Sequence, residues 1–161
     1  TLSPFMGFDS IEPYLRWDGK GLFLLCRTSN PGGDDLQAQS LATGELLYER
    51  IARLAAHDWN RNGQLGLVVG ATYPREVERV RQLAPTLPLL IPGIGAQGGD
   101  AAATVRAGWR GDAAGGTQGA ILVSSSRAVL YASAGDDFAA AARRVAQAAR
   151  EELQLARPIR G

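Results

Sequence analysis

The sequence predicts an α/β protein built on a parallel sheet, and three observations carry that expectation. Four short runs, at 21–26 (GLFLLC), 65–70 (LGLVVG), 87–92 (LPLLIP) and 119–123 (GAILV), are apolar throughout. They lack the alternation of a strand with one wet face, as strands covered on both sides would. The stretches between them repeat apolar residues at helical spacing. The resulting order is one helix followed by four strand–helix units, with no linker, which is the alternation that gives right-handed crossovers.

Taken in order, a short helix at about 10–17 precedes the first strand. Leu47, Ile51, Leu54 and Ala55 mark one face of a helix over about 43–58. Pro74, suited to a first helical turn, opens the next helix, with Val77, Val80 and Ala84 on its apolar face. Asp100 can cap a helix reaching Trp109, and 111–119 is a Gly/Ala-rich surface loop. The Ala-rich end of the chain forms a long helix with Phe138, Ala142, Val145, Ala149 and Leu153 on one stripe. Four units do not close an eight-unit barrel, and Thr1–Gly7 reads as the exit from a strand. Two architectures remain open: a small open α/β sheet, or the C-terminal part of a larger domain.

Composition narrows the function classes. At 45% hydrophobic, the 161 residues can bury a core, and no apolar run is long enough to span a membrane. The N-terminus lacks the basic and apolar segments of a signal peptide. Cys26, the single cysteine, cannot form an internal disulfide, which suits a reducing cytoplasm. A net charge of +1 with interspersed signs argues against a nucleic-acid partner. Lys20 is the only lysine; every other basic side chain is arginine.

In α/β folds of this kind, ligands bind at the loops after the C-terminal ends of the strands. After the first strand, Arg27-Thr28-Ser29-Asn30-Pro31-Gly32 offers hydrogen-bonding side chains and turn chemistry. After the third, Pro92-Gly93-Ile94-Gly95-Ala96-Gln97-Gly98-Gly99-Asp100 leads into a helix, and such a loop lets backbone N–H groups approach a phosphate. Its Gly93-x-Gly95-x-x-Gly98 spacing also fits the dinucleotide fingerprint. That reading fails because the acidic residue about 20 positions on, Asp112, precedes a strand instead of ending one. After the fourth strand come Ser124-Ser125-Ser126-Arg127, and Arg127 can grip the same phosphate in a bidentate way. The serines lack His–Asp partners in register for a hydrolase. His57 suits a helix C-terminus, Asp34 and Asp35 read as a solvated loop, and Cys26 as core; no metal-ligand cluster is visible.

Pro92–Asp100, followed by a strand ending in Ser126-Arg127, resembles the orotidine 5′-phosphate decarboxylase family. Pro4-Phe5-Met6-Gly7-Phe8-Asp9-Ser10, Leu25–Gly32 and Val69-Gly70-Ala71-Thr72-Tyr73-Pro74 are similar to the longer bacterial branch of that family. The resemblance implies a (β/α)8 TIM barrel, of which residues 1–161 are the C-terminal part: about the last four βα units and the preceding helix. It implies decarboxylation of orotidine 5′-phosphate to UMP in pyrimidine biosynthesis, without metal or organic cofactor, by a cytoplasmic homodimer. It implies phosphate contacts from Gln97, Arg127, Gly95, Gly98 and Ser126, and pyrimidine contacts from Ser29, Thr28 and Pro92. The family's catalytic Asp/Lys array has no counterpart here, and Lys20 precedes the first full strand, so no catalytic residue is expected in this chain, which alone should be inactive. The alternatives are another phosphate-binding barrel enzyme, such as an indole-glycerol-phosphate or ribulose-phosphate enzyme, or a non-catalytic α/β domain that binds a phosphate ligand.

Overall fold

The computed structural model describes residues 1–94, 99–110 and 119–157. Four strands, β1 (Leu22–Arg27), β2 (Leu65–Val69), β3 (Leu89–Pro92) and β4 (Ile121–Ser124), pair in parallel in that spatial order. β1 and β4 each run one residue past the predicted apolar stretch, to Arg27 and Ser124. Leu2 adds a parallel bridge to Leu24 on the far side of β1. Its N–H donates to the Phe23 carbonyl and its own carbonyl accepts from the Leu25 N–H, both at 2.9 Å. The N-terminal segment therefore does leave a strand position.

The helices are α1 (Glu12–Leu15), α2 (Leu47–Arg53), α3 (Pro74–Leu83), α4 (Ala101–Gly108), α5 (Ser126–Leu130) and α6 (Phe138–Leu155). α2 continues as a π-helical turn over Leu54–Trp59. It starts later than its apolar spacing predicts, because Gly44 at φ 81° closes a turn in which the Leu41 N–H donates to the Glu45 carbonyl. Asp100 caps α4 as expected, its carboxylate accepting from the Ala103 N–H at 2.9 Å. α5 has no periodic signal at its length. On α6, Ala142, Val145, Ala149 and Leu153 are half-buried as predicted, whereas Phe138 is 63% exposed.

Side chains alternate across the sheet. Leu24, Leu65, Leu67, Val69, Leu89 and Ile91 face the helices, where they pack with Ile51, Val77, Val80 and Ala84. The opposite face carries Phe23, Leu25, Leu90 and Leu122, of which Leu25 is 36% and Leu122 47% exposed. The apolar runs thus predict two dry faces, and the described residues cover one of them.

The N-terminal end of the sheet is tied together by Arg81, which is 1% exposed in the last turn of α3. Its Nε donates to the Gly108 carbonyl (2.7 Å) and Nη1 to Leu87 (2.6 Å), Ala84 (3.1 Å) and Pro85 (3.2 Å). Nη2 reaches Gly119 and Ala120, both at 3.2 Å. Ala84 caps the C-terminus of α3 and Gly108 ends α4, so the cation meets two helix C-termini whose carbonyls have no intrahelical partner. Burial, then Arg110, pushes its pKa down to about 10, which leaves it charged at neutral pH.

Replacing Arg81 by Met strands these carbonyls and should cost roughly 3 kcal/mol or more of unfolding free energy in the complete polypeptide. Arg81→Lys, with a point charge in place of a planar fork, should fall between. Chemical denaturation checks this, and a loss under about 0.5 kcal/mol for Arg81→Met would contradict it.

Glu49 accepts from the Leu46 N–H (3.1 Å) and from Arg79. Burial works against its charge, but these bonds prevail and hold its pKa below the usual carboxylate value. Its contribution, about 1 kcal/mol or less because Arg79 is half-exposed, is present above the ordinary carboxylate pKa. It is lost as pH falls through the lowered folded value. The stability gap between wild type and Glu49→Gln should therefore close on acidification; a gap that stays constant to the acid transition contradicts the assignment.

Candidate active site

Parallel pairing brings the exits of all four strands to one edge. At the β3 and β4 exits, Pro92, Gly93, Ile94, Ser124, Ser125, Ser126 and Arg127 line one hollow. Gly93 has φ 103°, and its carbonyl accepts from the Gly99 N–H at 3.1 Å, closing the base of the glycine loop. The Ser125 hydroxyl donates to the Ile94 carbonyl at 3.3 Å, fastening the two exits to each other. Arg127 stands in the first turn of α5 with its side chain exposed. Three of the residues named from the sequence, Pro92, Ser126 and Arg127, therefore share one hollow. Gly95, Gln97 and Gly98 lie outside the described residues, as does Asp112.

The β1 exit is organised around Arg27. Leu22, Leu24 and Cys26 point to the helices, so strict alternation would turn Arg27 to the opposite face with Phe23 and Leu25. A bulge between Leu25 and Arg27 shifts the register, placing Arg27 opposite the helix-facing Val69. Arg27 is 1% exposed. Its Nε and Nη2 donate to Glu76 of α3 at 2.6 and 3.2 Å, and Nη2 also pairs with Asp34. Nη1 donates to Gln37 Oε1 at 3.4 Å, and the group lies 4.9 Å from the centre of the Tyr73 ring. Burial opposes its charge; the bonds to Glu76 and Asp34 outweigh that and raise its pKa above the usual value.

Gln37 carries the linkage into the loop. Its Oε1 accepts from the Thr28 N–H at 2.8 Å and its Nε2 donates to Thr28 Oγ1 at 2.9 Å, while that hydroxyl donates to Asn30 Oδ1 at 2.7 Å. Ser29 follows directly, its carbonyl accepting from Thr72 Oγ1 at 3.4 Å. The Ser29 backbone presses on Gly70, where a Cβ would come within 2.6 Å of Ser29 Cβ and 2.8 Å of its backbone, so only glycine fits. Gly70 and Ala71 then join the two sides of the edge: the Gly70 N–H donates to the Arg27 carbonyl (2.8 Å) and the Ala71 N–H to the Pro92 carbonyl (2.9 Å).

The remaining candidates fall elsewhere. Lys20 lies at the opposite end, beside a hollow formed by Gly21, Phe23, Pro88 and Ala120. His57 is exposed on the turn that leads toward β2. Cys26 is buried, donates to the Tyr48 carbonyl at 3.3 Å, and has its pKa pushed well up by burial. The expectation that Asp34 is merely solvated is corrected: it is Arg27's partner. Among the described residues, no His/Cys/Asp/Glu group could hold a metal, and no helix is long and apolar enough to cross a membrane. Sequence reasoning names Arg27 only as one hydrogen-bonding side chain of the exit loop, places Gly70 and Thr72 only in a family-like segment, and does not single out Gln37. The available signal was a charged residue closing an apolar strand run, seven positions before an acid.

The edge thus offers an exposed cation beside a glycine loop and, next to it, a polar loop held rigidly by a buried ion pair. That combination suits a ligand with an anionic end and further hydrogen-bonding groups. The family model described as orotidine 5′-phosphate decarboxylase / HUMPS matches residues 1–154. The chain is 72% identical to curated orotidine 5′-phosphate decarboxylases of Albidiferax ferrireducens and Paracidovorax citrulli, covering 98% of its own length in each case. It covers 58% and 56% of those two relatives, so it spans somewhat more than half their length. Among solved structures, Leishmania donovani UMP synthase superposes with a TM-score of 0.78 at 43% identity, over 94% of this chain and 32% of that one. Leishmania donovani OMP decarboxylase gives a TM-score of 0.76 at 39% identity, over 94% and 55%. The four parallel βα units are part of a (β/α)8-barrel fold, and the chain belongs to the orotidine 5′-phosphate decarboxylase / HUMPS family.

Proposed function

We propose that the protein decarboxylates orotidine 5′-phosphate to UMP, and that residues 1–161, as the C-terminal part of a single barrel domain, supply the phosphate and pyrimidine contacts. The observation that carries this reading is the hollow in which Arg127 and Ser126 meet Pro92 and the base of the glycine loop. In this reading Arg127 grips the phosphate through charge-assisted bonds, joined by Ser126, Gln97 and the backbone of Gly95 and Gly98. Pro92 lines the ring pocket, and Thr28 and Ser29 address the pyrimidine edge. The phosphate does not react; binding it fixes the ring and lets remote binding energy act on the reacting carbon.

The proton donor comes from strands outside this chain. Supporting this, Lys20 is the only lysine of the sequence and lies at the far end of the sheet, and His57, the only histidine, is exposed on the turn before β2. No metal or organic cofactor enters the reaction in this reading, and the working unit is a cytoplasmic homodimer. Nothing in the geometry favours another phosphate-binding barrel enzyme or a purely ligand-binding domain over this assignment.

In the complete polypeptide, Arg127→Ala removes charge-assisted bonds worth about 1.5–3 kcal/mol each, and kcat/KM for orotidine 5′-phosphate should fall roughly 10–200-fold or more. Arg127→Lys should recover part of the loss. Orotidine, which lacks the phosphate, should be decarboxylated by Arg127→Ala nearly as well as by wild type. An equal loss on both substrates would show that Arg127 is structural and would remove the phosphate assignment.

A further inference from the structure

The geometry points to Arg27 as a positioning residue for pyrimidine recognition: turned toward the helices by the β1 bulge and locked between Asp34 and Glu76, it sets Thr28 and Ser29 through Gln37. This inference rests on the reading of Thr28 and Ser29 as the pyrimidine contact.

Three features separate this arrangement from an ordinary structural ion pair. First, the partners come from two places that have to be held together around the loop. Asp34 is on the 3₁₀ turn Pro31–Asp35 that follows the loop, Gln37 sits just past that turn with its N–H donating to the Gly33 carbonyl at 2.8 Å, and Glu76 is in the first turn of α3. Second, the linkage is continuous. Arg27 Nη1 and the Thr28 N–H both donate to Gln37 Oε1, and Gln37 Nε2 returns a bond to the Thr28 hydroxyl. A guanidinium that holds Gln37 therefore sets both the backbone and the side chain of the residue next to Ser29. Third, the space around the group is spent on it. A Cβ at buried Gly33 would meet Arg27 Nη1 at 2.6 Å, and Gln37 Oε1 and Thr28 Oγ1 at 3.1 Å, so that position stays glycine for the guanidinium to lie flat. On the other side, Gly70 lets the Ser29 backbone settle onto β2. The loop is gripped from both sides, and Arg27, paired with Asp34 and Glu76, is the cation of the grip.

The test uses the complete polypeptide and two ligands, UMP and ribose 5-phosphate, whose affinities are measured by calorimetry. Ribose 5-phosphate lacks the base, so a fault in pyrimidine positioning leaves it alone. Arg27→Met should weaken UMP about 10–100-fold and ribose 5-phosphate less than about threefold. Arg27→Lys should fall between, since a point charge cannot span Glu76 with two donors. Ser29→Ala should weaken UMP about tenfold, and the double variant should bind UMP within about twofold of Arg27→Met, because both act through one contact. Should Arg27→Met fail to fold, Gly33→Ala displaces the guanidinium while keeping every hydrogen-bonding group, and the same loss confined to UMP is expected. Wild-type UMP affinity in Arg27→Met, equal losses for both ligands, or additive losses with Ser29→Ala would each overturn the inference. If Ser29→Ala weakens UMP and neither Arg27→Met nor Gly33→Ala does, the positioning role alone falls. If Ser29→Ala leaves UMP unchanged, the pyrimidine reading of the loop falls and takes this inference with it.

Discussion

Parallel pairing of four strands is the constraint from which the rest follows. Because each strand must re-enter at the same edge, every exit loop gathers at one end and every return loop at the other. Residues as far apart in sequence as Ser29, Pro92 and Arg127 are then neighbours along one rim. Short main-chain bonds keep them there: Gly70 to Arg27, Ala71 to Pro92, Gly99 to Gly93.

Each end of the sheet is held by a buried arginine, and the two differ in chemistry. At the return end, Arg81's hydrogen-bond acceptors among the described residues are main-chain carbonyls, and two helix C-termini stabilise its charge. Burial dominates there and lowers its pKa. At the exit end, Arg27 meets two carboxylates, which outweigh burial and raise its pKa. Carbonyls tolerate a fixed scaffold that does no chemistry. A charged pair close to water, as Asp34 is, suits a loop that has to keep one shape while a ligand arrives and leaves. The bulge in β1 supplies the geometry, since without it the guanidinium would point away from Glu76.

Much of this was legible in the sequence. Fully buried strands need continuous apolar runs and their covering helices need a 3.6-residue period, so element order and parallel topology follow from the pattern alone. That Pro92 and Arg127 share one hollow was legible because neighbouring strands of a parallel sheet exit side by side. Arg27 was not, for a physical reason. Its partner Glu76 is 49 residues away, and a bulge that reverses the facing of one side chain leaves no trace in hydrophobic periodicity. Arg81 was hidden similarly, because backbone carbonyls can be offered by any residue. The start of α2 was set by the turn at Gly44 and not by the apolar spacing that runs through it. Phe138 has the right spacing for the α6 stripe, yet at the first turn that stripe has passed the edge of the core.

In the proposed function, one rim of the sheet holds both ends of the nucleotide, with the phosphate at Arg127 and the base at the loop steadied by Arg27. The most direct measurement is a crystal structure of the complete polypeptide with UMP bound. Phosphate oxygens are expected about 2.7–2.9 Å from the Arg127 guanidinium, beside Ser126 and Pro92, with the uracil edge hydrogen-bonded at Thr28 or Ser29. A phosphate bound away from Arg127, or a uracil ring that leaves the 28–29 loop without contact, would contradict it.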